Sequence, residues 1–256
     1  MSAGFEIEWR EDGAVFTIDR PGKLNALTKP VLEALSACAA RMEREKQRLL
    51  VITGRGGKAF CAGTDLGELQ SMSVAERLAK SDMARDLLVG LSQAPFVSVA
   101  AVNGLALGGG LEVAMACTLR IAASHAIFGL PEVKLGLLPA YAGTQFLPAL
   151  VGAGRAEEIM LTGRSLALDE ALAIGLIHRK GPDGHALLEA ASAFGREVTT
   201  HGAAAVSAIR DCVRAAGPSV GAPGLRVERE RVNTIFAGPE AQAGVDAFLN
   251  KRNRGP

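Results

Sequence analysis

The order of apolar and polar positions divides the chain into a front part, in which strands and helices alternate, and a helical final part. Apolar, β-branched runs bounded by turn residues predict strands, and apolar residues spaced three and four apart predict amphipathic helices. The predicted strands are 5–9, 14–19, 49–53, 96–102, 120–123, 126–129 and 175–180. The predicted helices are 28–48, 66–72, 73–92, 111–119, 144–151, 154–161, 168–174, 185–199, 203–215, 225–236 and 239–250.

This order of elements predicts a mixed α/β core with a helical C-terminal appendage. Asp12-Gly13 between the first two strands predicts a hairpin with a primed turn. A strand, a glycine-rich loop and a helix follow one another at 49–72 and again at 96–118. This weak internal repeat indicates a repeated supersecondary unit.

The stretch from Phe96 to Glu112 is the most informative part of the sequence. Its buried strand leads through Gly108, Gly109 and Gly110 into the first turn of a helix. Glycines let a ligand approach the bare backbone, and a helix start offers unpaired N–H groups and partial positive charge. The stretch therefore predicts an anion-stabilising site with a carboxylate beside it.

Composition narrows the class of protein. The 256 residues are 48% hydrophobic but only 4% aromatic, and the net charge of +1 gives no reason to expect binding to nucleic acid or to a membrane surface. The four cysteines are widely spaced and the four histidines are dispersed, so we expect reduced thiols, no metal site and a cytoplasmic location. Residues 1–10 are charged and lack the apolar segment of a signal peptide.

The common nucleotide-binding motifs are absent. The run from Gly108 to Val113 lacks the last glycine of G-x-G-x-x-G, and the Gly57-Lys58 pair lacks the remainder of a P-loop. These absences argue against a NAD-dependent dehydrogenase.

Two carboxylates and two loops remain as candidate chemistry. Glu132 lies among apolar residues in FGLPEVKLG, and a carboxyl in apolar surroundings has a raised pKa. Taken singly, Glu132 is better interpreted as an exposed loop acid, Glu112 as a complement to the helix dipole, and residues 59–66 as an ordinary turn.

Taken together, six segments resemble the enoyl-CoA hydratase/isomerase (crotonase) superfamily, in the family's order and over nearly the whole chain. They are RPGKLNAL (20–27), KAFCAGTDL (58–66), AAVNGLALGGGLEVAMAC (100–117), FGLPEVKLGLLP (128–139), GTQ (143–145) and AFLNKR (247–252). The resemblance implies a crotonase-like α/β core, a spiral of ββα turns over residues 1–197, and an all-helical trimerisation region over 198–256. It also implies an acyl-CoA thioester substrate, no cofactor, and a homotrimer or a dimer of trimers.

The resemblance assigns roles by motif position. The backbone N–H groups of Thr64 and Gly109 would form an oxyanion hole. Glu112 would be ionised and activate a water for attack at C3, and Glu132 would be protonated and deliver a proton to C2. Isomerases of the family typically need only the acid at the Glu132 position, so the presence of both acids favours hydration.

One segment departs from the family pattern. Hydratases usually have PGAGG before Thr-Gln, whereas residues 139–143 read PAYAG. Ala140 could still offer its N–H to the water, and the Tyr141 ring would alter the acyl pocket. The predicted CoA-binding residues are Asn25, Ala26, Leu27, Ala62, Asp65, Leu66, Phe248 and Lys251.

The resulting hypothesis is an enoyl-CoA hydratase that converts trans-2-enoyl-CoA to 3-hydroxyacyl-CoA. The altered 139–143 segment leaves two alternatives open, a Δ3,Δ2-enoyl-CoA isomerase and a non-catalytic acyl-CoA-binding member of the fold. The basic tail around Lys251 could equally be a solvated terminus. Acyl chain length, branching and pathway are left open.

Overall fold

The computed structural model describes residues 4–216 and 222–237, in two compact units that divide between Arg196 and Glu197. The first unit is mixed α/β and the second is helical, as the sequence predicts. The predicted helix 239–250 and the predicted CoA-binding residues Phe248 and Lys251 lie outside the described residues.

The strands of the described part form two sheets in the first unit. In chain order they are β1 (Phe5–Arg10), β2 (Gly13–Ile18), β3 (Leu49–Gly54), β4 (Ala59–Cys61), β5 (Val97–Val102), β6 (Leu105–Leu107), β7 (Leu119–Ala122), β8 (Ile127–Gly129), β9 (Ser165–Ala167) and β10 (Arg179–Lys180). The larger sheet has the order β1-β2-β3-β5-β7-β10 and is parallel except for the β1–β2 hairpin. The smaller sheet has the order β4-β6-β8-β9, with only β9 antiparallel.

The helices occupy the predicted regions. They are α1 (Lys29–Arg44), α2 (Leu66–Ser71), α3 (Val74–Gln93), α4 (Gly109–Ala116), α5 (Gly143–Val151), α6 (Ala153–Thr162), α7 (Leu168–Ala173), α8 (Ala186–Thr199), α9 (Ala203–Ala215) and α10 (Ala222–Ala237). Short 3-10 helices span Pro21–Lys23 and Glu132–Leu135.

A ββα unit is repeated along the first unit. Each of β3, β5 and β7 in the larger sheet is followed by a short strand of the smaller sheet, β4, β6 or β8, and then by helix. The sequence predicts the first two copies of the unit but not the third. The strands β4, β6, β8 and β9 have three residues each, which is too short for a clear alternating pattern, and of these four the sequence predicts only β8.

The core of this unit lies against the larger sheet. All six residues of β5 are buried, as are five of six in β3, which is typical of parallel strands covered on both faces. Helix α1 adds Val31, Leu35 and Met42 to this core. The core is therefore aliphatic, as the composition predicts.

Three local predictions are wrong. Residues 11 and 12 connect β1 to β2, and neither has a positive φ, so the hairpin turn is not of the primed type. Gly13 is instead the first residue of β2, where it pairs with Arg10. A Cβ at Gly13 would lie 1.7 Å from the Leu49 carbonyl oxygen. Helix α1 ends at Arg44, not near residue 48, because Lys46 has a φ of 54°. The predicted strand 175–180 is reduced to Arg179–Lys180.

The described part of the second unit consists of helix. Helices α9 and α10 pack on each other, and Arg231 forms an ion pair with Asp211 at 3.0 Å. Its predicted role in trimerisation, and the boundary predicted at residue 197, stay predictions. No helix in the described ranges is both long and apolar enough to cross a membrane.

Gly110→Ala is expected to lower the free energy of unfolding by about 2 kcal/mol or more, because overpacking forces backbone to move. A Cβ at this position would lie 2.0 Å from the Cys61 carbonyl oxygen. The matched control is Gly90→Ala, exposed in the last turn of α3, where a Cβ meets nothing within 4 Å. The control should lose no stability, because alanine favours helix more than glycine does. Urea denaturation measures both changes, and a Gly110→Ala protein as stable as the parent would contradict the packing described.

Candidate active site

The predicted loops and carboxylates meet at one cavity of about 720 Å³ in the first unit. Backbone from the two glycine-containing turns forms one wall, and apolar side chains from α2, α3 and the 131–139 segment form much of the remainder. The predicted site residues that line the cavity are Ala62, Thr64, Leu66, Gly109, Glu112, Glu132, Ala140 and Tyr141.

The two turns touch backbone to backbone. A Cβ on Gly110 would lie 2.0 Å from the Cys61 carbonyl oxygen, and a Cβ on Gly63 would lie 3.4 Å from the Gly109 nitrogen. Gly63 also has a φ of 100°, which side-chain-bearing residues rarely adopt. Glycine at these positions lets the turn after β4 lie directly against the start of α4.

Backbone bonds to Leu27 hold the Thr64 turn in place. The Leu27 N–H donates to the Gly63 carbonyl at 2.7 Å, and the Asp65 N–H donates to the Leu27 carbonyl at 2.9 Å. This bridge does not use the N–H of Thr64. Gly109 is the first residue of α4, and the first N–H groups of a helix have no acceptor within it. Thr64 and Gly109 both line the cavity. The N–H of Thr64 is not used in the bridge to Leu27, and the N–H of Gly109 is not used within α4.

Glu112 is buried in the first turn of α4, with 1% of its surface exposed. Its Oε1 accepts hydrogen bonds from the backbone N–H groups of Tyr141 at 2.8 Å and Gly143 at 2.6 Å. Burial raises the pKa of the Glu112 carboxyl, the two N–H donors oppose the rise and the charge of Glu132 adds to it, so that the resulting pKa is about 7. The sequence predicts an ionised Glu112, whereas a carboxyl with this pKa is partly protonated at neutral pH.

Glu132 begins the 3-10 helix and directs its carboxyl toward the same cavity. Its Oε2 is buried and has no hydrogen-bond partner among the described residues. Burial raises the pKa of this carboxyl, in the direction that the sequence predicts. The predicted reason holds only in part, because the apolar neighbour Leu130 is buried but Val133 and Leu135 are exposed. Packing against Gly108, where a Cβ would lie 2.7 Å from Glu132 Oε1, also encloses the carboxyl.

The 139–143 segment packs against Glu112 and reaches Thr64. Tyr141 is 6% exposed, and its hydroxyl shares a hydrogen bond of 2.5 Å with Thr64 Oγ1. The Ala140 carbonyl accepts a hydrogen bond from the Ser81 hydroxyl at 3.1 Å. Both predicted residues of this segment therefore lie on the cavity wall.

Several predicted CoA-binding side chains have structural contacts. The Asn25 amide donates to the carbonyls of Arg55 and Ala59, and the Asp65 carboxylate caps α2 and forms an ion pair with Arg20 at 2.8 Å. Asn25, Ala26, Leu27 and Asp65 do not line the cavity, whereas Ala62 and Leu66 do. If these four residues contact CoA, they would do so through their backbone or through the small exposed parts of their side chains.

Lys80 of α3 lines the cavity and is not among the predicted site residues. It is buried, and its ammonium forms an ion pair with Glu68 at 2.5 Å. It lies four and seven residues before Ala84 and Leu87, which are buried on the same helix face. That spacing places the lysine on the buried face and is the signal that could have identified it.

Glu112→Gln is expected to stabilise the protein at about pH 8 and to change its stability little at about pH 5. The glutamine can still accept both N–H bonds but carries no charge. Because the folded-state pKa is raised from 4.5 to about 7, the folded parent binds its proton more tightly than the unfolded chain. The parent therefore loses stability as the pH rises from about 4.5 to about 7, by about 3 kcal/mol in all, and its stability is constant above that range.

Urea denaturation at the two pH values measures this difference. The control is Glu43→Gln on the exposed surface of α1, for which the change should be the same at both pH values. A Glu112→Gln protein that gained no stability over the parent at the higher pH would contradict the raised pKa.

Comparison with known proteins agrees with this geometry. The profile of a family described as enoyl-CoA hydratase/isomerase matches residues 10–255. The crotonyl-CoA hydratase of Syntrophomonas wolfei subsp. wolfei is 36% identical over 247 residues, covering 96% of this chain and 95% of that protein. The short-chain-enoyl-CoA hydratase of Clostridium acetobutylicum is 35% identical over 240 residues, covering 93% and 92%. The crystal structure of enoyl-CoA hydratase from Bacillus anthracis superposes with a TM-score of 0.91 at 32% identity, over 97% of this chain and 96% of that one. The chain belongs to the enoyl-CoA hydratase/isomerase family and is an enzyme of that family.

Proposed function

We propose that the protein hydrates trans-2-enoyl-CoA thioesters to 3-hydroxyacyl-CoA. The observation that carries the proposal is a pair of carboxyls, the buried Glu112 and the half-buried Glu132 with its buried Oε2, on the cavity that Thr64 and Gly109 also line. The names of the relatives from Clostridium and Syntrophomonas support short-chain substrates, with crotonyl-CoA as the first to assay.

The thioester oxygen of the substrate would lie between the N–H groups of Thr64 and Gly109. Attack of water at C3 moves negative charge onto this oxygen, which makes the intermediate an enolate. Two preset donors stabilise the charge without reorganising, and one such donor contributes about 3–4 kcal/mol to lowering the barrier. The start of α4 adds partial positive charge beside Gly109.

The two acids would divide the proton transfers. Ionised Glu112 accepts a proton from the water whose oxygen bonds to C3, and protonated Glu132 delivers a proton to C2. Two ionised carboxylates close together repel each other, so the state in which Glu112 and Glu132 share one proton is favoured over the state in which both are ionised. The raised pKa of each carboxyl supports a site that keeps a proton near neutral pH. The cycle adds one water and uses no cofactor beyond the CoA of the substrate.

Isomerisation is the second candidate, because the family description includes isomerases. Proton transfer between C2 and C4 needs one acid–base group, whereas hydration uses two. The hydrogen bonds that fix Glu112 toward the cavity favour hydration. Offering 3-enoyl-CoA and following formation of the conjugated thioester distinguishes the two, since only isomerisation gives this product without water uptake.

Glu112→Gln and Glu132→Gln are each expected to lower kcat for crotonyl-CoA hydration by at least about 10²-fold, because each removes one proton-transfer group. The loss of absorbance of the conjugated thioester measures the rate, and Glu43→Gln, on the exposed face of α1, is the matched control. If both active-site variants kept rates near that of the parent, the proposed function would be wrong.

A further inference from the structure

Two residues of the site touch each other through their side chains. The Thr64 side chain and the Tyr141 hydroxyl share a hydrogen bond of 2.5 Å beside the cavity. Tyr141 stands in the 139–143 segment, which reads PAYAG. The contact joins two loops separated by 77 residues in sequence.

Tyr141 also contacts the other groups that the proposed chemistry needs. Its backbone N–H donates to Glu112 Oε1 at 2.8 Å. Its ring lies against the start of α4, where a Cβ on Gly109 would be 2.9 Å from the ring carbon Cε2. One residue thus touches both residues of the proposed oxyanion hole and the proposed base.

We infer that Tyr141 is a positioning residue, whose hydroxyl holds the Thr64 turn at a fixed separation from Gly109 and Glu112. The inference rests on the proposed function, because it concerns the same oxyanion hole. Thr64 carries no reacting side chain in that chemistry. Its hydroxyl serves as the attachment point through which the 139–143 segment fixes the turn.

Backbone hydrogen bonds to Leu24 and Leu27 and the close packing of Gly63 also hold the turn. None of these contacts uses the Thr64 side chain, so the bond to Tyr141 is an additional restraint. Oxyanion donors must be positioned to within a fraction of an ångström, and a small displacement costs rate more than affinity. A part-buried hydrogen bond between two side chains supplies this restraint.

The restraint is independent of pH over the range in which an enzyme of this kind works. Burial raises the pKa of the Tyr141 phenol to about 12, so the hydroxyl keeps its proton and the bond to Thr64 is retained. Acid–base chemistry in the site is thereby left to the two carboxyls.

The test is a double-mutant cycle on the hydroxyl pair. Tyr141→Phe and Thr64→Val each remove one hydroxyl and keep the shape of the side chain. Each should lower kcat on crotonyl-CoA about 10-fold, with KM changed less than about twofold, and the double variant should lose no more than either single one. Thr64→Ser, which keeps a hydroxyl, should recover most of the kcat that Thr64→Val loses.

The control is Thr162→Val in α6, which removes a hydroxyl bonded to the Glu158 carbonyl away from the cavity. Its kcat should equal that of the parent. The inference would be overturned if the decrease in kcat of the double variant equalled the product of the decreases in the two single variants. It would also be overturned if both single variants kept the kcat of the parent.

Two further measurements separate positioning from a general structural effect. The pH dependence of kcat should keep the same midpoint in Tyr141→Phe, because the backbone N–H bond to Glu112 remains. A collapsed 139–143 segment would lose that bond and move the midpoint upward, and that result would contradict a specific role for the hydroxyl.

Acetoacetyl-CoA provides a readout that does not need hydration, because its enolate places a negative oxygen where the proposed intermediate has one. Enolate absorbance on binding should fall several-fold in both single variants relative to the parent. If the parent bound the enolate but did not hydrate crotonyl-CoA, the proposed function would fail and the inference would stand. If the parent hydrated crotonyl-CoA and bound the enolate no better than Tyr141→Phe, the inference alone would fail.

Discussion

Direct backbone contact between two turns is the constraint on which the rest of the site depends. Gly110 lies against the Cys61 carbonyl with no room for a Cβ, and Gly63 lies against the start of α4, where a Cβ would be 3.4 Å from the Gly109 nitrogen. The contact brings Thr64 and Gly109 to one wall of the cavity. It also fixes the direction of the first turn of α4 and so the position of Glu112. The small sheet of three-residue strands provides the frame for this contact.

The fold accepts two buried carboxyls at this wall, which is an unfavourable arrangement for stability alone. Glu112 is partly compensated by two N–H donors, while Glu132 keeps a buried oxygen without a partner among the described residues. Sites that break the rules of polar burial are commonly functional. The uncompensated oxygen and the raised pKa of both groups are what proton transfer to and from a substrate requires.

Much of this arrangement could be predicted from sequence, because it depends on local pattern. The strand beginning near Phe96, the glycines and the helix carrying Glu112 follow from periodicity and backbone chemistry. The enclosure of Glu132 by Gly108 and the bond between Thr64 and Tyr141 could not be predicted. Both depend on tertiary contacts between segments that the sequence separates. The raised pKa of Glu112 could not be predicted for the same reason. The burial that raises this pKa comes from tertiary contacts, and it outweighs the partial positive charge at the start of α4.

The most direct measurement of the central claim is a crystal structure with 3-hydroxybutyryl-CoA, the product of crotonyl-CoA hydration. We expect the thioester oxygen to accept hydrogen bonds from the N–H groups of both Thr64 and Gly109, with nitrogen–oxygen distances of about 2.7–3.2 Å. We also expect the 3-hydroxyl to lie within hydrogen-bond distance of the carboxyls of both Glu112 and Glu132. A thioester oxygen bound away from the two N–H groups, or a 3-hydroxyl that reaches neither carboxyl, would contradict this claim.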